Sequence, residues 1–437
     1  MIAMAQACGI VTPAIGGGHF MTAEQTARSF PEIRVPAALT FAGLVLGFAA
    51  GILLRDTAII TPLLAVAEPA GTLWLSALQT TILPLVIGLV YTGISQTLAA
   101  ASGGILARRA VGMFVVVLLA SGTMSALLVP MLLGIAPIPP QAVAALSGGA
   151  AATGTVPGVA EILAAMMPQN IFAAAADGAM LAVVVFVSLF ALAATRIAEA
   201  PRKQLGLIFE GLASAMMVVV GWVLMLAPIG VFGLAVSLGV KSGPDAIGAL
   251  AHYIVMVSLA GSVVLIAAFA VAVLRARLSL GAFVRAMLPV HAVALSTQSS
   301  LASLPAMLAA SRKLGVREST ADFVLPLAVA IFRATSPAMN VAVAIYAAKL
   351  TGVELTAPML AAGVIVAFLV SLSSVSLPGT LSFVVSVGPI ALAMGVPIGP
   401  LALLVAVEMI PDLMRTVGNV TMDVAVTAAV DKQSEPD

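Results

Sequence analysis

The sequence predicts an all-α polytopic membrane protein: eight transmembrane helices plus two re-entrant helical hairpins, related as inverted repeats. Three observations carry this. Of the 437 residues, 62% are hydrophobic and only 8% charged, against about 25% charged in a soluble domain, and the mean hydropathy is +1.19. The apolar stretches are of helix length and carry Gly and Ala, without the short alternating strands of a barrel. Finally, two Ser/Pro-interrupted segments occupy matching positions on either side of one span, and a helix striped with charge follows the second.

Residues 1–33 read as a loose N-terminal segment, not a cleaved signal peptide, because no basic stretch precedes an apolar one. The membrane domain is expected over 34–430, with a tail at 431–437. The first span runs from Pro36 to about Leu54 and ends at Arg55 and Asp56. The second covers Trp74 to Leu98 and the third Val111 to Ile135. A long connection containing Pro137–Pro140 and the Gly/Ala/Thr-rich stretch 148–158 leads to the fourth, Ile171 to Ala194. Leu207 to Leu234 is the fifth and Ile247 to Leu274 the sixth. If these spans alternate, Arg28, Arg34, Arg108, Arg109, Arg196, Arg202, Lys203, Arg275, Arg277 and Arg285 share one side, and Arg55 and Lys241 the other. The positive-inside rule then places the N-terminus in the cytoplasm.

The last third differs. The segment 297–305 cannot be a simple lipid-facing helix, since irregular backbone at membrane depth must line a cavity or be buried in protein. Two half-helices meeting at this tip meet that condition. Leu325–Ala348 crosses once, and Val364–Met394 repeats the interrupted pattern around Ser371–Thr380. Hairpin, span, hairpin, span is the signature of a secondary transporter with a midplane site.

The final segment, 401–430, is read as one helix. From Asp412, polar residues recur at Arg415, Thr416, Asn419 and Asp423, with Glu408 four residues before, so all share one narrow face. Ionised groups in hydrocarbon cost several kcal/mol unless paired or hydrated, so this stripe must point into protein or toward a ligand. The single Cys8 excludes an internal disulfide framework and a thiolate metal site. Three dispersed histidines argue against a metal enzyme, and the serines lack a histidine partner, so no enzyme activity is expected. His252 and His291 read as isolated polar groups near helix ends.

Several motifs resemble the dicarboxylate/amino acid:cation symporter family, which includes glutamate/aspartate and C4-dicarboxylate transporters. They are PQNIFAAAADGAML (Pro168–Leu181), APIGVF (Ala227–Phe232), the LP…GIS pattern of Leu83–Ser95, STQSSLASLP (Ser296–Pro305), SLPG (Ser376–Gly379) and DLMRTVGNVTMD (Asp412–Asp423). The resemblance covers roughly 34–430. It implies an elevator-type homotrimer, with a scaffold mainly from 34–100 and 160–235 and a transport domain mainly from 108–136 and 246–430. It implies substrate contacts at Ser299, Ser300 and Ser303 of the first tip, at Ser376, Leu377, Pro378 and Gly379 of the second, and at Asp412, Arg415, Thr416 and Asn419 of the last helix. In that scheme Arg415 grips the side-chain carboxylate, which suits its planar fork, and Asp412 takes the substrate ammonium.

The chain also departs from the family pattern. Where members carry Asn-Met-Asp-Gly-Thr in the seventh span, it has Phe332, Arg333, Ala334, Thr335 and Ser336. In the third span Val117 and Ala120 replace cation-binding residues, leaving Ser121. A residual sodium site would rest on Asn419 and Asp423. Ser121, Arg333, Ser336, Glu408 and Asp423 are therefore candidates for coupling or charge compensation. Arg333 is a candidate tethered cation, and Glu408 a candidate proton carrier, since desolvation penalises carboxylate charge.

The expected function is secondary active transport of an acidic amino acid, proton-coupled, with altered sodium sites. The alternatives are a C4-dicarboxylate or other organic anion transporter, and a channel-like or receptor-like protein of the same fold. No cofactor is expected beyond a coupling ion, H+ or Na+. The expected partners are a small organic anion, the lipid bilayer and further copies in a homotrimer, not nucleic acid. The expected location is a bacterial-type inner membrane, with both termini cytoplasmic.

Overall fold

The computed structural model describes residues 37–138, 164, 166–242, 245–373 and 379–433, and among these it is helical throughout, without strands. The expected N-terminal segment, most of the long third connection and the tip of the second hairpin lie outside the described residues. Six helical stretches are long and apolar enough to cross a membrane, and shorter apolar helices accompany them. The chain is an integral membrane protein.

The first span is α1 (Ala37–Leu54). The second, α2 (Ile60–Ala101), is much longer than its apolar core suggested. Pro69 and Pro84 lie within it without ending it. The third is α3 (Ile105–Ile135). The fourth is two pieces, α4 (Ile171–Ala176) and α5 (Met180–Ala194). Asn170 caps α4 by accepting from the Phe172 and Ala173 amides, and Gly178 turns the chain at φ +72°. The fifth span also divides, into α6 (Glu199–Met225) and α7 (Ala227–Ser242). Pro228 at the second position of α7 has no amide to continue the α6 ladder. The sixth is α8 (Asp245–Leu274).

Both interrupted segments are helix pairs. The first is α9 (Leu280–Thr297) and α10 (Leu304–Lys313). The second is α13 (Ala357–Ser373) and α14 (Gly379–Ala393). Between them the seventh span is not one helix but α11 (Glu318–Ile331) and α12 (Thr335–Thr351), separated by 332–334. The last segment is a short α15 (Leu401–Leu404) and a long α16 (Met409–Gln433). The expectation of one helix over 401–430 is corrected here. Pro411 cannot donate to the carbonyl four residues back, and the chain turns through 405–408 before α16 begins. Glu408 closes that turn, and its carbonyl accepts from the Asp412 amide at 2.9 Å, so it stands one helical turn before Asp412 as its spacing required.

Packing divides into two neighbourhoods. In one, α1 lies along α7, and α2 packs on α5, α6 and α7. Gly43, Gly47 and Gly51 bring α1 onto the α7 backbone; a Cβ at Gly47 would stand 2.5 Å from the Phe232 carbonyl oxygen. In the other, α16 is enclosed by α8, α9, α10, α11, α12 and α3. Its residues from Thr416 to Asp431 are continuously buried, as is nearly all of α12. A helix buried on every side belongs in the interior of a bundle. The C-terminal end of α16 is anchored by Asp431, which accepts from Arg317 Nε (2.7 Å), the Arg317 amide (3.3 Å) and Thr320 Oγ1 (2.6 Å). The neighbourhoods meet where α13 and α14 pack on α2.

The α1–α7 contact admits no side chain at Gly47. Gly47→Leu should lower the thermal unfolding temperature of the purified protein in detergent, an overpacking cost of about 1–3 kcal/mol. An unchanged melting temperature would mean that the helices separate freely there.

Candidate functional site

The site is built from the start of α16, the broken seventh span and the first tip. The first turns of α16 carry Asp412, Arg415, Thr416 and Asn419, all buried. Hydrocarbon does not tolerate such groups unpaired, and the chain supplies partners at close range. Arg415 Nη2 donates to Glu408 Oε1 at 2.7 Å, Nη1 donates to Asn340 Oδ1 at 2.8 Å, and Nε lies 3.3 Å from Asp412 Oδ1. Glu408 Oε2 accepts from the Tyr253 hydroxyl of α8 at 2.7 Å. Glu408 is fully buried, so its carboxylate is held by two donors in a dry interior. The same interior draws α8, α12 and α16 together around one guanidinium.

The break in the seventh span is pinned on both sides. Phe332 stacks on Phe114 of α3, with ring centroids 4.4 Å apart and planes 11° from parallel. Asn419 Oδ1 accepts from the Thr335 amide (3.0 Å) and the Thr335 hydroxyl (2.8 Å). Gly418 makes this docking possible, because a Cβ there would meet Thr335 Cγ2 at 2.5 Å. Arg333, held between these anchors, is 8% exposed, and its Nε has no hydrogen-bond partner. Asp423 is 1% exposed and neither of its carboxylate oxygens has a partner.

The first tip is closed by its own residues. Gln298 is left-handed at φ +50°, and Ser299 Oγ accepts from the Ala302 amide. Ser303 is fully buried, and its hydroxyl donates to the Ser299 carbonyl at 2.9 Å. Ser303 therefore stabilises the turn, while Ser299 and Ser300 are half-buried. His291 Nε2 lies 2.8 Å from Thr421 Oγ1. Counting seven residues onward in α9 and seven back in α16, both about 10 Å at the helical rise, brings the tip to roughly the depth of Arg415.

The remaining candidates are placed as follows. The Thr416 hydroxyl donates to the Asp412 carbonyl, and Ser121 to Leu118. Ser336 is buried with its hydroxyl unpartnered. Ser376, Leu377 and Pro378 lie outside the described residues, and Gly379 begins α14. Asn419 spends its carbonyl oxygen on Thr335, so the proposed Asn419–Asp423 cation pair is not assembled in this conformation. Among the described residues no group of three or more His, Cys, Asp and Glu is placed to hold a metal ion.

Two expectations need correcting. His252 and His291 are not isolated: His252 Nδ1 lies 3.2 Å from the Tyr346 hydroxyl, and its Nε2 lies 3.1 Å from the Ala136 carbonyl. Tyr253, Thr335 and Asn340 were missed as members of the site. Their signal was available, since a tyrosine or asparagine inside an apolar span needs a partner. They sit on two spans, Tyr253 on α8 and Thr335 and Asn340 on α12, without the periodic stripe that marked α16.

The sequence model of the sodium:dicarboxylate symporter family matches residues 37–433. The chain is similar to the proton/sodium-glutamate symport protein of Bacillus subtilis (strain 168), 30% identical over 274 residues, covering 63% of each chain. It is 27% identical over 266 residues to the proton/glutamate-aspartate symporter of Escherichia coli (strain K12), covering 60% of each. It is 30% identical over 188 residues to the C4-dicarboxylate transport protein of Anaeromyxobacter sp. (strain K), covering 43% of this chain and 41% of that one. The chain thus spans about three fifths of the length of the first of these relatives.

Tyr253→Phe removes one of the two donors that hold Glu408. With a buried carboxylate oxygen left bare, the purified protein should lose about 1.5–3 kcal/mol of stability, read as a lower thermal unfolding temperature. Wild-type stability would mean that this hydrogen bond does not hold the carboxylate.

Proposed function

The chain belongs to the sodium:dicarboxylate symporter family, and from that premise we propose that it is a proton-coupled secondary transporter of acidic amino acids. The observation that carries the reading is the Arg415–Glu408 contact, at the depth of the first tip. A planar guanidinium is a bidentate carboxylate receptor, and here one face of it is taken by a carboxylate of the chain itself. A substrate carboxylate reaching Arg415 Nη2 must displace Glu408 Oε1. Asp412, already 3.3 Å from Arg415 Nε, is the group suited to a substrate ammonium. Ser299, Ser300 and the amides of the first tip are suited to the second carboxylate, as donors at half-helix ends.

Displacement has a charge consequence. Glu408, Asp412 and Asp423 face Arg333 and Arg415 in one buried cluster, so at their usual charges one negative charge is unbalanced. A Glu408 carboxylate released from Arg415 cannot stay ionised in a dry interior without a new partner. Taking a proton as the substrate arrives removes both difficulties, and substrate and proton then cross together.

The two packing neighbourhoods support the division into a scaffold (α1, α2, α4–α7) and a moving domain (α3, α8–α16). A homotrimer in a bacterial inner membrane, with cytoplasmic termini, fits the loop charges and the bacterial relatives. A second reading, transport of a C4-dicarboxylate, is favoured by Arg333. Its charge acts on Asp412 and would reduce the repulsion that an aspartate exerts on a substrate without an ammonium.

Uptake of labelled L-aspartate, L-glutamate and succinate into proteoliposomes tests this. Wild-type uptake should proceed without sodium and follow an inward proton gradient. If one proton binds with the substrate, affinity should rise by up to about tenfold per unit fall in pH. Arg415→Ala should weaken binding of substrates with a distal carboxylate by roughly one and a half to four decades. Glu408→Gln should bind substrate with a flat pH profile and lose concentrative uptake. Strict sodium dependence, or an unaltered pH profile in Glu408→Gln, would overturn the reading.

A further inference from the structure

Arg333 has no role in the substrate-binding scheme, yet the fold fixes it with care. Placing a guanidinium in a bundle interior is expensive unless it answers charges already there. The residue before it is clamped by the Phe332–Phe114 stack, and Thr335, two residues after it, by the double bond to Asn419. The backbone of 332–335 is thereby locked beside Asn419 of α16, and the Arg333 side chain is buried there. Asn419, on which this segment is pinned, stands one helical turn before Asp423 on the same face of α16. No hydrogen bond reaches either Asp423 carboxylate oxygen.

The two groups are not hydrogen-bonded to each other through these atoms: both Asp423 carboxylate oxygens and the Arg333 Nε are without a partner. Each therefore carries unmet hydrogen-bonding capacity in the bundle interior. A carboxylate so placed requires a positive charge. An exchangeable cation would need several converging oxygens, but the nearest amide oxygen on the same face, that of Asn419, is already committed to Thr335.

We propose that Arg333 is a tethered counter-cation for Asp423, with Asp412 as its second neighbour, standing where an exchangeable metal ion would otherwise be needed. Because the positive charge is covalently fixed, it travels with the moving domain in both directions and is never released. A gradient of that ion then contributes nothing to the cycle, and the only exchangeable positive charge left is the proton. This rests on the transporter reading for its consequence, but the charge relation itself does not depend on any substrate.

The test is a thermal-unfolding cycle on the purified full chain, in sodium chloride and in choline chloride of equal ionic strength. The variants are Arg333→Met, Asp423→Asn and the two together. Wild type should melt at the same temperature in both salts. Each single change should lower the melting temperature by several degrees, because each strands one buried charge. The double variant, which strands neither, should recover most of that loss. Arg333→Met should also gain a stabilisation by sodium, or by acid, that wild type lacks. If a single variant fails to accumulate, recovery of folded protein in the double variant supports the proposal.

A double variant no more stable than Arg333→Met, or wild type stabilised by sodium over choline, would overturn it. L-aspartate and succinate uptake is measured on the same preparations. Wild type that transports neither, while the unfolding cycle behaves as expected, would sink the transporter reading and leave the charge relation standing.

Discussion

A guanidinium inside a membrane bundle is the constraint on which the rest of the structure depends. Arg415 is 3% exposed, and the interior answers it with Glu408, Asp412 and Asn340 on three sides. Removing one member of such a buried ionic group typically costs about 3–5 kcal/mol, because the other is left uncompensated. The surrounding helices are arranged to prevent that. The turn at 405–408 swings Glu408 back toward Arg415, and Tyr253 of α8 holds its other oxygen. Asn340 comes from α12, the most enclosed helix of the fold.

The same pairing makes the site responsive. A charge group satisfied internally is stable when empty, yet each internal bond to Arg415 can be exchanged for one to an incoming carboxylate at little net cost. This is differential interaction of the kind a ligand needs to shift a conformational equilibrium. The neighbouring anchors do not exchange. Thr335 on Asn419 and Asp431 on Arg317 and Thr320 fix α16 near its middle and at its C-terminal end. Opening of Glu408 can then be local, while the helices around it keep their places.

Much of this was legible in the sequence, and the reasons differ by element. The polar stripe of α16 was visible because 3.6-residue periodicity survives in an apolar background. The two hairpins were visible because serine and proline punctuate helices wherever they occur. The breaks at Leu226 and at 405–408 were harder, since a proline placed just after a helix start reads like one inside a span. Glu408 was assigned to the right cluster at the right spacing, since its carbonyl accepts from the Asp412 amide; only the turn that precedes it went unseen. Tyr253 comes from α8, and Asn340 and Thr335 from α12, and only tertiary packing brings them to α16. The internal capture of Arg415 was not foreseen either. The i,i+3 spacing to Asp412 was plain, but a carboxylate seven residues back reaches the guanidinium across two helical turns, which spacing alone does not announce.

The central claim is that a carboxylate of the chain holds the place of a substrate carboxylate. A cryo-electron microscopy structure of the full chain with L-aspartate, solved beside one without it, tests that most directly. The account requires a substrate carboxylate on Arg415 Nη2, with Glu408 moved off the guanidinium and still near Tyr253. A substrate bound elsewhere, with the Arg415–Glu408 contact intact at its 2.7 Å separation, would contradict it.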